Sequence, residues 1–129
     1  HDARGAMTST LAGAVEVLKA ESIFAPPGCD TQVAGCFAAD LMSDVLAFAR
    51  QGSLLLTGLT THQTMRTAAI KRLIAVVVVE GKEIGSDMIE AAREESTPLF
   101  RTPLSKYEAC GLLLQAGLRP YRKGVGEAG

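Results

Sequence analysis

The run "IAVVVV", Ile74 to Val79, constrains this chain more than any other stretch. It shows no alternation of apolar and polar side chains, so both faces of the strand it forms need cover. The interior of a parallel sheet layered with helices meets that condition. Its neighbours in sequence supply the layers. "VAGCFA" reads as a strand, and "DLMSDVLAFARQG" as a helix with Leu41, Val45, Phe48 and Ala49 on one face and Gly52 as its stop. "SLLLTGL" reads as a second strand, and "THQTMRTAAIKRL" as a helix presenting Met65, Ala68, Ala69 and Leu73. After the valine run come the helix "SDMIEAAREES", with Ile89, Ala92 and Arg93 on one face, the short strand "PLFRT", and the helix "SKYEACGLLLQAG", stopped by Gly117. Three successive strand-helix-strand units imply an α/β fold: a mainly parallel sheet of four to five strands, helices on both faces, right-handed crossovers.

Residues 8 to 32 are less decided. "TLAGAVEVLKAE" suits one helix, while "AVEVL" also suits a strand; a short helix followed by an edge strand is the expectation. "APPGCD" is a loop, because Pro26 and Pro27 fit neither a helix interior nor a ladder.

At 129 residues, 47% hydrophobic and 21% charged, the chain suits one globular domain, placed at 7–118. "HDARGA", residues 1–6, reads as an expression scar before Met7, and residues 119–129, with "RPYRKG" and "GVGEAG", as a flexible tail. A net charge of -1 and a pI near 6.1 leave no basic stripe for a nucleic acid. No apolar run approaches the roughly 20 residues of a membrane helix, and no secretory pattern is present, so no membrane partner and a cytoplasmic location are expected. Cys29, Cys36 and Cys110 are odd in number and lack a C-x-x-C pair, which argues against a disulfide framework or a zinc site.

In an open parallel sheet, ligands bind beyond the carboxyl ends of the strands, where helix N-termini present unpaired N–H groups. Those ends carry Asp40 and Ser43 after the first strand of the parallel series and Thr60, Thr61, His62 and Gln63 after the second. Gly81 and Lys82 follow the third, and Thr102 and Ser105 the fourth. The candidate ligand-binding set is Asp40, Ser43, Thr60, Thr61, His62, Gln63, Thr102 and Ser105. Helix capping explains several of them equally well: Thr60-x-x-Gln63 and Ser105-x-x-Glu108 both match the capping box, and Ser86 suits an N-cap. His62 has no second histidine apart from His1, so no metal site is expected. Asp40 and Asp44 lie four apart, as on one helical face, without a metal-binding companion. No nucleophile elbow, P-loop or dinucleotide fingerprint occurs, so no catalytic residue is assigned.

The succession from Gly35 to Ile84 resembles the DRTGG domain, above all in D-L-M-S-D-V-L (Asp40 to Leu46), G-S-L-L-L-T (Gly52 to Thr57) and Thr61 to Gln63. "TPLSKYEACGLLLQAGL" (Thr102 to Leu118) resembles the way such domains close, and the likeness spans Leu11 to Leu118. It implies an α/β layer structure similar to the amino-terminal domain of HPr kinase/phosphorylase. Such domains occur beside the catalytic domain of some phosphotransacetylases and beside CBS domains in some inorganic pyrophosphatases, in a regulatory or dimer-forming role. The literal D-R-T-G-G string is absent, and Thr61-His62 stands where phosphotransacetylase versions carry Asp-Arg. A guanidinium grips an oxyanion bidentately, which a neutral imidazole does not.

Three readings follow. The first is a non-catalytic regulatory module that homodimerises and binds a small metabolite or nucleotide at the carboxyl edge, with no further cofactor. The second is a ligand-free interaction module docking on a larger enzyme or kinase. The third is a phosphotransferase or hydrolase using Asp40, Ser43, Asp44 and His62.

Overall fold

The computed structural model describes residues 9–120; the expected scar and most of the expected tail lie outside the described residues. The order of elements is α1 (Leu11–Leu18), β1 (Glu21–Phe24), β2 (Gly35–Ala38), α2 (Met42–Phe48), β3 (Ser53–Thr57), α3 (His62–Ile70), β4 (Ala75–Val78), α4 (Ser86–Glu95), β5 (Leu99–Arg101) and α5 (Lys106–Gln115).

The strands form one sheet in the order β1-β5-β4-β3-β2. β2, β3, β4 and β5 are parallel, with Leu55 opposite Val76 and Val77 opposite Phe100, and β1 closes one edge antiparallel to β5. The alternation of the strand decides which helices cover which face. Leu55, Val76, Val78 and Leu99 pack against Val45, Met65, Ala68, Met88 and Ala92 from α2, α3 and α4. Leu54, Leu56, Ala75, Val77, Val79 and Phe100 pack against Leu11, Ala14, Leu18, Ala109 and Leu113 from α1 and α5. Both β3 and β4 are buried throughout, and each fully buried Leu or Val contributes about 1.5–3 kcal/mol. The doubly covered valine run is therefore the centre of the fold.

Several details differ from the sequence reading. "AVEVL" is helical, held in α1 by the Thr10 hydroxyl, which accepts from the Gly13 N–H at 3.1 Å. The edge strand falls later, at "ESIF", where Glu21 and Ser22 are exposed, Ile23 and Phe24 are partly buried, and alternation gives no signal. α2 ends at Phe48, before Gly52, and Gly52 (φ +88°) instead turns the chain into β3. In α2 only Val45 is buried, whereas Leu41 and Phe48, expected on its apolar face, are exposed. In α4 the buried residues are Met88, Ala91 and Ala92, and the Arg93 guanidinium lies over the Phe24 ring at 5.4 Å. Arg119 and Pro120, expected to open the tail, run beside β2: the Cys36 N–H donates to the Arg119 carbonyl at 2.9 Å.

Candidate functional site

Because β2, β3, β4 and β5 run parallel, the four loops that follow them gather at one edge. Asp40 follows β2, and its Oδ1 accepts from the Gly58 N–H at 2.7 Å, from the Thr57 hydroxyl at 3.3 Å and from Lys106 Nζ at 2.7 Å. One carboxylate oxygen thus ties the ends of β2 and β3 to the first residue of α5. The Lys106 ammonium first, and the Gly58 N–H second, hold the Asp40 carboxyl below the ordinary 3.8.

Lys82, in the loop after β4, reaches across the same edge and donates from Nζ to the Gly58 carbonyl at 2.9 Å. Its loop turns through Glu80 and Gly81, with φ of +66° and +60°. The left-handed conformation costs a non-glycine residue about 1–2 kcal/mol. The Glu80 N–H donating to Leu104 and the Gly81 N–H donating to Thr102 keep it in place. Arg101 joins β1 to this loop, donating through Nε and Nη2 to Glu21 Oε1 and through Nη1 to the Lys82 carbonyl. Gly58 sits in the middle: a Cβ there would lie 3.0 Å from Lys82 Nζ and 3.5 Å from Asp40 Oδ1.

Of the sequence candidates, the edge brings only Asp40 into this network. Ser105 belongs to the capping box of α5, its hydroxyl accepting from the Glu108 N–H while Glu108 accepts from the Ser105 N–H. Thr102 is buried, donating to the Leu18 carbonyl at 2.7 Å and accepting from the Leu104 N–H, so its hydroxyl does not face a ligand at the surface. The Thr60 capping box does not form: Thr61 is the N-cap of α3, with no side-chain cap bond, and the nearby Thr64 hydroxyl donates to the Leu59 carbonyl. Ser86 is likewise the first helical residue of α4, behind the N-cap Gly85. Ser43 and Gln63 are exposed, and His62 Nδ1 lies 3.6 Å from Asp87 Oδ2 at the start of α4. Asp40 precedes α2 and Asp44 lies within it, so the two carboxylates do not share a helical face.

Of the network's cations, Lys82 is legible in the sequence as a strand-end residue, though not in the candidate set, and Lys106 and Arg101 are not. Lys106 has one signal: it occupies the first helical position, where the helix dipole disfavours a cation, so it needs an anion from elsewhere. Gly58 and Arg101 carry none, since their roles depend on loops brought together by strand register.

The remaining polar chemistry is limited. Burial pushes the Cys36 thiol up to about 12 and raises that of Cys110, so neither is a thiolate near neutral pH. Among the described residues no group of three or more His, Cys, Asp or Glu side chains is placed to hold a metal ion, and no helix is long and apolar enough to cross a membrane. A shallow hollow of about 650 Å³ runs not along the carboxyl edge but along α5, bordered by Leu104, Tyr107, Gly111 and Leu114.

No family model matches the sequence, and no curated protein does. Among solved structures, the chain is similar to the CBS and DRTGG domains of the regulatory region of Clostridium perfringens pyrophosphatase, complexed with the activator diadenosine tetraphosphate. The TM-score is 0.68 at 16% identity. The fold is DRTGG-like. The likeness covers 92% of this chain but 52% of that one, so this chain spans about half the length of its structural neighbour. The α/β architecture expected from the resemblance and from strand patterning agrees with it: a five-stranded, mostly parallel sheet with helices on both faces.

Proposed function

We propose that this chain is a non-catalytic regulatory module, a single DRTGG-like unit over residues 7–118 that binds a nucleotide or related small metabolite at the carboxyl edge of its sheet and pairs with a second copy. The observation that carries this reading is the convergence of Asp40, Gly58, Lys82 and Lys106, from four different segments, at the edge where open parallel sheets take ligands. The structural neighbour, a regulatory region with a nucleotide activator bound, is consistent with it. The enzymatic reading has less support: His62 meets Asp87 rather than Asp40, Ser43 or Asp44, so the nucleophile and base it requires are not within hydrogen-bond reach.

A second reading, an interaction module without a ligand, is favoured by α5. Tyr107 is 89% exposed and Leu114 59%, and together with the hollow beside Gly111 they form an apolar face left uncovered by the described residues. Thermal unfolding in the presence of nucleotides, acyl phosphates, coenzyme A and simple anions separates the two. A dose-dependent rise in melting temperature with one of these classes is the expected result, because a ligand that binds only the folded state stabilises it by mass action. No rise with any of them contradicts the ligand reading and leaves the interaction module.

A further inference from the structure

We infer that the carboxyl edge is a phosphate site in which Asp40 stands as a resident counter-anion, to be exchanged for a phosphoryl group held by Lys82, Lys106 and the Gly58 N–H. The inference rests on the carboxyl-edge reading above and names the ligand chemistry.

The charge inventory at the edge is unequal. Lys106 meets the Asp40 carboxylate, whereas the acceptor of Lys82 is the neutral Gly58 carbonyl, and Lys82 has no carboxylate partner among the described residues. Of the two ammonium groups on this network, only Lys106 is paired with the Asp40 carboxylate. Both are brought in at a cost. Lys106 stands at the positive end of α5, and Lys82 is delivered by a turn that holds Glu80 in the left-handed region, with Arg101 bound to its carbonyl.

The absence of a side chain at Gly58 lets charged groups from two other segments close on one peptide unit. Gly58 provides no Cβ, and the position a Cβ would take lies 3.0 Å from Lys82 Nζ and 3.5 Å from Asp40 Oδ1. If the Asp40 side chain swings out, the Gly58 N–H and Lys106 Nζ lose the acceptor they share, and Lys82 Nζ already stands on the carbonyl of the same glycine. A phosphoryl group presents three acceptor oxygens and up to two negative charges, and so answers both lysines where a single carboxylate answers one. The exchange is easy because Asp40 is 56% exposed, and an exposed ion pair contributes little to stability. Asp40 then sets a threshold: it excludes weak monoanions and yields to a phosphate chain.

Isothermal titration of the full chain with sodium tripolyphosphate, ATP and adenosine at low salt tests this. Tripolyphosphate and ATP should bind, more weakly as sodium chloride is raised, and adenosine should not. Lys82→Ala and Lys106→Ala should each weaken tripolyphosphate binding about ten-fold, the loss of one charge-assisted contact. Asp40→Asn should strengthen it several-fold, since asparagine still accepts from the Gly58 N–H but no longer competes as an anion. If Lys106→Ala fails to fold, Lys106→Gln keeps much of the side chain's length without its charge and carries the same expectation. Unchanged tripolyphosphate affinity in the lysine variants, or weaker binding by Asp40→Asn, overturns the phosphate site. ATP that binds the double variant Lys82→Ala/Lys106→Ala as tightly as wild type overturns it while leaving the ligand reading standing. Absence of binding by ATP and tripolyphosphate together overturns the phosphate site, and with no shift from the wider metabolite classes the ligand reading falls as well.

Discussion

Lys106 and Tyr107 are consecutive residues of α5, yet they belong to opposite kinds of surface. Lys106 turns into the carboxyl edge and meets Asp40 at 2.7 Å, while Tyr107 stands 89% exposed beside a hollow bordered by Leu104 and Gly111. The edge is polar, cross-linked between segments far apart in sequence, and built on strained backbone at Glu80. The α5 face is mostly apolar, built from that helix and Leu104 just before it, and its residue Gly111 has nothing within 4 Å of where a Cβ would lie. Exposure alone therefore does not distinguish the two: the edge gathers charged and polar groups from several segments, and the α5 face offers apolar area.

That contrast is open to attack by substitution, beginning beneath the edge. Thr102→Val leaves the Leu18 carbonyl and the Leu104 N–H without their hydroxyl partner in a buried place, and chemical denaturation should record a loss of about 1–3 kcal/mol. A neutral Thr102→Val would mean that these two hydrogen bonds do not underpin the edge. Ser105→Ala removes half of the capping box and should cost about 1 kcal/mol, whereas Thr60→Ala, away from any cap bond, should be close to neutral in the same assay. Equal losses at the two positions would contradict Ser105 as the capping residue of α5 and Thr61, rather than Thr60, as the N-cap of α3.

Asp40→Asn should cost less, about 0.2–1 kcal/mol near neutral pH, since the pair is exposed. Its sign with pH is fixed by the lowered titration of the carboxyl. The contribution is whole above the ordinary 3.8 and fades as the pH falls through the lowered value, so wild type and variant should converge on acidification. A difference between them that grows in acid would contradict the pairing with Lys106. Smallest of all, Tyr107→Ser should leave monomer stability within about 0.5 kcal/mol, because the ring is barely buried. Sedimentation of the same variant adds a second readout: if the α5 face joins two copies, wild type sediments as a pair and Tyr107→Ser shifts toward the single chain.

Much of the fold is legible in the sequence because burial on both faces leaves a plain mark. "SLLLT" and "IAVVVV" have no polar alternation, and both are interior strands of the parallel sheet. β1 is harder, since an edge strand with exposed Glu21 and Ser22 offers no period to read. Within the site, Asp40 is legible because it follows a strand directly. Thr102 reads as a surface candidate for the same reason, although its position carries the opposite answer: two residues after Phe100, it shares that side chain's face and points toward α1 and α5. Lys82 is visible at a strand end, but its meeting with Gly58 depends on β3 and β4 lying in register, which no local pattern of residues encodes.

The proposed regulatory binding depends on a ligand site at the carboxyl edge rather than on α5. Backbone amide chemical shifts of the isotopically labelled chain, followed as ATP is added, discriminate between the two places. Saturable shifts are expected at Asp40, Gly58, Lys82 and Lys106, with Gly111, Leu112 and Leu114 unmoved. Shifts confined to Gly111, Leu112 and Leu114 would contradict the edge site and place the ligand on the apolar face of α5.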